Sequence, residues 1–219
     1  MKNKEPSKLN NFLEKNFKVI LGIVLVLFIF LIVGVVASSI NAKSVEKNLS
    51  EIDQIDYIFR KDSAELKEND FVARQDEALE NLESLSSKSG IVGVRANMLK
   101  ADILFQKNDF EASREAWLKA ADSKKGAYTS AICFYNAAVC SENLNDLQGA
   151  IDNYSKAINA KEFYLIDHAY FNLGRVNEET GNFDKAKEAY EKLNELHPNS
   201  PWAPVAKSRI ISINSSNNQ

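Results

Sequence analysis

The chain has 219 residues, 45% hydrophobic and 26% charged, enough for one domain of ordinary size and a further element, and this composition excludes disorder throughout. Lys and Arg number 27 against 30 Asp and Glu, a net charge of -3, but the first 18 residues hold five Lys and two Glu, and residues 19 to 42 hold no charge. The remainder therefore carries -6, a poor match to phosphate backbones, and two His with two Cys are too few for a zinc cluster or a disulfide framework.

Residues 1–18 read as a short Lys-bearing segment. Val19 to Ile40 follows as 22 uncharged residues, which as a helix would run about 33 Å and cross the roughly 30 Å of bilayer hydrocarbon. Ala37 and Ser39 are spaced like a signal-peptide cleavage site, but the apolar run exceeds the roughly 7–15 residues of a signal core, so an uncleaved anchor is expected. A lipid anchor would need a Cys directly after the run, and the first is Cys133. Five Lys precede the span, whereas Lys43 and Lys47 follow it beside Glu46, Glu51, Asp53 and Asp56. This asymmetry keeps the N-terminus in the cytoplasm and places residues from about 41 on the far side. The Lys- and Asn-rich usage fits a bacterium, whose inner membrane would hold the span and whose periplasm would hold the rest.

Residues 41–90 read as two helices, 43–62 and 71–87, with Val45, Leu49 and Ile52 on one stripe and Phe71, Ala78, Leu82 and Leu85 on another. They form either a degenerate first hairpin or, over 43–62, a stalk continuing the membrane helix. Three later segments then superpose: NDFEASREAWLKAA at 108–121, NDLQGAIDNYSKAI at 145–158 and GNFDKAKEAYEKLN at 181–194. In each, a hydrophobe (Phe110, Leu147, Phe183), a small residue (Ser113, Ala150, Ala186), an aromatic (Trp117, Tyr154, Tyr190) and an apolar residue (Ala120, Ala157, Leu193) fall on one helical stripe. The helix before each carries a small residue, Ala101, Ala138 or Gly174, where a close crossing needs little side chain. Cys133 and Cys140 lie seven apart on one such helix, about 10 Å along its axis, too far for a bridge. Residues 201–213, with Trp202, Val205 and Ile210 inward, would close the stack, and 214–219 would be a disordered tail.

The run from Ala169 to Ser200 resembles a tetratricopeptide repeat through Tyr170, Leu173-Gly174, Ala186, Tyr190 and Pro198. Two weaker copies precede it, giving units at about 94–127, 131–164 and 167–200 within residues 91–200. They depart from the pattern at Lys100, Ser113, Ala137-Ala138 and Asn177. The resemblance implies an all-α chain: an N-terminal transmembrane helix, then a right-handed solenoid of helical hairpins. It also implies a concave partner-binding groove lined by the first helix of each unit. By position that lining is Arg95, Met98, Asp102 and Phe105, then Ile132, Tyr135, Val139 and Glu142, then His168, Phe171, Arg175 and Glu178. A competing arrangement has residues 43–87 fold over this track and bury it.

No phosphate-binding loop, HExxH, GxSxG or calcium-loop pattern occurs, and His168, His197 and the Glu178-Glu179 pair have no nucleophile at recognisable spacing. The expectation is a non-enzyme without cofactor or metal. The layout of short basic segment, single anchor, helical pair and repeats is similar to the ancillary subunit of the bacterial Sec translocon. That resemblance implies translocon subunits, periplasmic chaperones or nascent exported chains as partners. The run YEKLNELHPNSPWAPVAKSRI also resembles an outer-membrane assembly lipoprotein, and a periplasmic repeat protein coordinating envelope constriction is a further relative in layout. Envelope-assembly proteins are the alternative partners.

Overall fold

The computed structural model describes residues 8–123, 129–160 and 163–216, and every regular element among them is helical. The helices are α1 Lys8–Arg60, α2 Glu68–Ser86, α3 Gly90–Gln106, α4 Phe110–Ser123, α5 Ser130–Asn143, α6 Leu147–Asn159, α7 Ile166–Glu179, α8 Phe183–Leu196 and α9 Ala203–Ser216. The chain divides into two compact units, Met1–Asn48 and Leu49–Gln219. In the first, the apolar run 19–40 lies within α1 and its large side chains are exposed, so this helix is long and apolar enough to cross a membrane. The expected basic segment is helical from Lys8, and its first seven residues lie outside the described ones.

In the second unit, α3 with α4, α5 with α6 and α7 with α8 form successive hairpins of a tetratricopeptide-like solenoid. The turns explain why these segments break where they do. Asn108, Asn145 and Gly181 take φ of 61°, 56° and 76°, the left-handed conformation that ends a helix and that Asn and Gly tolerate best. The next residue's N–H returns to the helix just ended: Asp109 to Leu104 O at 3.0 Å, Asp146 to Ser141 O at 2.9 Å and Asn182 to Asn177 O at 2.8 Å. The Asp109 and Asp146 carboxylates then accept from the N–H groups of Ala112 and Gly149, capping the second helix. In the two Asn-Asp turns one dipeptide thus stops one helix and starts the next.

A hairpin of this size cannot bury its apolar stripe alone, and the core accordingly comes in clusters that bridge neighbouring hairpins. Trp117 packs with Ala101, Cys133, Ala137 and Cys140; Tyr154 with Ala138, Phe163, Ala169 and Val176; Tyr190 with Tyr170, Leu193, Ala206 and Ile213. Departures from the repeat pattern are accommodated locally. Buried Ser113 donates to Ala101 O at 2.8 Å and accepts from Cys140 Sγ at 3.3 Å, filling a place usual for Ala. Asn177, also buried, donates to Leu173 O at 2.8 Å, and Lys100 reaches Glu83 at 2.8 Å.

Residues 43–60 continue α1 without interruption, and their far end also enters the second unit's core, with Ile52 and Phe59 each 2% exposed. Asp53 meets Arg95 at 2.6 Å and Arg60 meets Asp102 at 2.7 Å, both pairs 42 residues apart, so the end of α1 runs alongside α3 in the same sense, as a first helix does. The closing helix runs to Ser216 rather than 213, because Ile213 is buried and carries the helix past it; the expected disorder of 214–216 is thereby corrected, and 217–219 lie outside the described residues.

Candidate partner-binding groove

The end of α1, α3 and the start of α5 enclose a groove of about 530 Å³. Its apolar lining is Ile52, Ile91, Met98, Leu99, Trp117, Ile132 and Phe163, with the 77% exposed Tyr164 at its edge. Arg95, Asp102, Asp56, Arg60 and Thr129 supply the polar lining. The residues before α2 therefore build one wall of the groove instead of covering it.

Of the twelve residues expected to line one track, this groove gathers Arg95, Met98, Asp102 and Ile132. The others are engaged elsewhere. Phe105 packs edge-to-face on Phe110 at 5.2 Å. Tyr135 lies against Tyr154 at 5.4 Å and Phe163 at 5.9 Å, and its oxygen accepts from Asn172 Nδ2 at 3.0 Å. Val139 is half-buried against the Tyr154 cluster. Phe171 stacks on Trp202 at 4.6 Å, and His168 meets the same indole at 5.2 Å.

Glu142, Arg175 and Glu178 form a recurring clamp that sequence reasoning missed. The Tyr154 hydroxyl donates to Glu142 at 2.5 Å, and Glu142 is also paired with Arg175 of the next first helix, which reaches Glu179 at 3.6 Å. One repeat later Tyr190 donates to Glu178 at 3.2 Å while Arg209 of α9 donates to it through Nε at 3.0 Å. Each clamp joins three consecutive helices. Burial first, then the Glu178 carboxylate, pushes the Tyr190 hydroxyl up to about 12, and burial followed by Glu142 drives Tyr154 above its ordinary value. Both hydroxyls therefore stay protonated donors at neutral pH. Two signals could have found the clamp: a Glu twelve residues before each Tyr, and an Arg 33 or 31 residues after each Glu. The α1 wall gave an ambiguous signal, Ile52 on a helical stripe that fitted either a stalk or a first hairpin, and the Phe163-Tyr164 edge, at the end of the second unit, gave none, since no position of the repeat pattern marks it.

The fold and this groove define a helical-repeat scaffold for holding other proteins. Two family models, each described as tetratricopeptide repeat, match residues 74–132 and 167–200. Over 144 residues, 64% of this chain, the sequence is 32% identical to a "TPR repeat-containing protein" of Treponema pallidum (strain Nichols), and the chain spans 60% of that relative's length. Among solved structures it is similar to "Crystal structure of MamA", with a TM-score of 0.53 at 22% identity over 67% of this chain and 81% of that one. A second, "Crystal structure of MamA protein", gives 0.52 at 20% identity over 75% and 87%. At those identities the likeness is one of fold. The chain carries tetratricopeptide repeats, and repeats of this kind imply protein partners.

Proposed function

We propose that this protein is a membrane-tethered adaptor that grips apolar segments of other proteins outside the cytoplasm, and that it assists exported chains at the Sec translocon of a bacterial inner membrane. The observation that carries the reading is the open groove between α1, α3 and α5, where Met98 and Ile132 are half-buried rather than sealed. An aliphatic side chain entering it would be removed from water at roughly 25 cal/mol per Å² of apolar surface. The four charged residues of its lining do not recruit a charged ligand strongly, because Arg95 is paired with Asp53 and Arg60 with Asp56 and Asp102. Five Lys before the span and the carboxylate-rich segment after it support the outward orientation.

Photocrosslinkers at Met98, Ile132 and Tyr164 in living cells test the assignment. Adducts with translocon subunits, periplasmic chaperones or nascent secreted chains are expected. Adducts with outer-membrane assembly machinery or cell-wall synthases would move the protein to envelope assembly or division, and absence of adducts at all three positions would refute the groove.

A further inference from the structure

Helix α9 repeats, uncovered among the described residues, a face that earlier first helices have covered. A shift of 34 residues lays Ala169, Gly174, Arg175 and Asn177 of α7 onto Ala203, Ser208, Arg209 and Ile211 of α9. Two observations fix that register. Ala169 and Ala203 are both buried, and Arg175 and Arg209 each reach back to the clamp glutamate of the preceding first helix. On α7 the face holding Tyr170, Gly174 and Asn177 is buried, and Tyr190 of α8 lies so close to Gly174 that a Cβ there would meet its ring at 2.4 Å. On α9 the matching Pro204, Ser208 and Ile211 are exposed, Ile211 at 67%, and so is Val205, the counterpart of Phe171 and a residue expected to face inward.

We propose that Pro204, Val205, Ser208 and Ile211 dock an amphipathic helix of a partner protein that presents a small residue followed four positions later by Tyr or Trp, prolonging the stack in trans. The occupant is defined by continuity with the interfaces already built. Ser113 with Trp117, Ala150 with Tyr154 and Ala186 with Tyr190 show the same spacing, and all six are buried. Ser208 stands in the register of Gly174 on α7 and of Ala138 on α5, whose Cβ is buried in one cluster with Tyr154, so a small residue with a Cβ can lie beside a ring at this place, and Pro204, Val205 and Ile211 supply apolar surface around it. This surface is separate from the groove, so neither reading depends on the other.

The full chain in detergent is titrated into a fluorescent peptide spanning residues 181–200, the segment that fills this face on α7, and anisotropy is read. Saturable binding is expected, weakened at least about tenfold by Ile211→Glu in the chain and by Tyr190→Ala in the peptide, as for a buried aromatic anchor. Because a short peptide forms a helix poorly alone, a second chain carries a copy of residues 181–200 on a flexible linker after Gln219. Its melting temperature should exceed that of the parent, and Ile211→Glu should remove the increment. No binding in either format, binding indifferent to Ile211→Glu, or self-association abolished by Ile211→Glu would each overturn the proposal, the last by making a second copy the occupant.

Discussion

Gly174→Ala isolates the close crossing on which each hairpin depends. A Cβ at this position would lie 2.4, 2.6 and 2.8 Å from Tyr190 Cε1, Cδ1 and Cζ. Carbon atoms in contact prefer about 3.5–4.0 Å, so the ring must retreat by about 1 Å. It has nowhere to go: Tyr190 is fully buried, packs on Phe171 at 5.8 Å and is held by Glu178 through its hydroxyl. Overpacking of a filled core costs about 1–3 kcal/mol. Contacts at 2.4–2.8 Å put this clash in the upper half of that range, about 2–3 kcal/mol, and alanine returns up to about 1 kcal/mol of helix propensity over glycine, leaving a net loss of about 1–2 kcal/mol. For a unit of this size that is a fall of about 2–8 °C in Tm, measured by circular dichroism of the full chain in detergent. Tyr190→Leu should relieve the clash, so Gly174→Ala together with Tyr190→Leu must cost less than the two changes summed. A Gly174→Ala protein as stable as the parent, or strict additivity with Tyr190→Leu, would refute the reasoning.

Phe171→Asp should destabilise by about 2–4 kcal/mol, near the loss for a truncated core aromatic, because the ring stacks on Trp202 and packs at a tilt against Tyr190 instead of standing free for a partner. Thermal melting checks it, and an unchanged Tm would return Phe171 to the groove. Cys133 and Cys140 are free and buried, and burial pushes the Cys133 thiol up to about 12. Neither should react with a thiol reagent at pH 8 until denaturant is added, when two groups titrate; prompt labelling in the folded protein would contradict the buried placement. The Tyr190 hydroxyl lies above its ordinary value, so the stability it contributes is present below pH 10 and lost as pH rises through 10 to about 12. The stability advantage of the parent over Tyr190→Phe should shrink across that window in chemical denaturation, and a constant difference would remove the ionisation from the account.

The hairpins were legible because their information is local: the Asn-Asp and Gly-Asn turns, the small residues at 113, 150 and 186, and the aromatics four positions later fix helix ends and packed faces within one repeat. The groove was legible only in part, because what occupies a first-helix side chain comes from a repeat away. Phe171 has the spacing of a groove residue, but Trp202 of the closing segment covers it. Glu142, Arg175 and Glu178 have the positions of peptide contacts, yet each is spent on a neighbouring helix through the tyrosine clamps. In the other direction, Ile52, Asp56 and Arg60 line the groove from a helix that periodicity offered as either stalk or first helix, and two ion pairs to α3 decide the role of its far end. Residues 124–127, which the first repeat was expected to include, lie outside the described residues, as do 161 and 162 of the second.

The most direct test of the account is the affinity of the full chain for an unfolded, apolar polypeptide, measured with Met98→Glu and Ile132→Glu proteins whose melting temperatures match the parent. The groove predicts that each carboxylate weakens binding at least about tenfold, whereas Glu191→Lys on the exposed side of α8 leaves it unchanged. Equal affinity for the parent and both groove variants would contradict it.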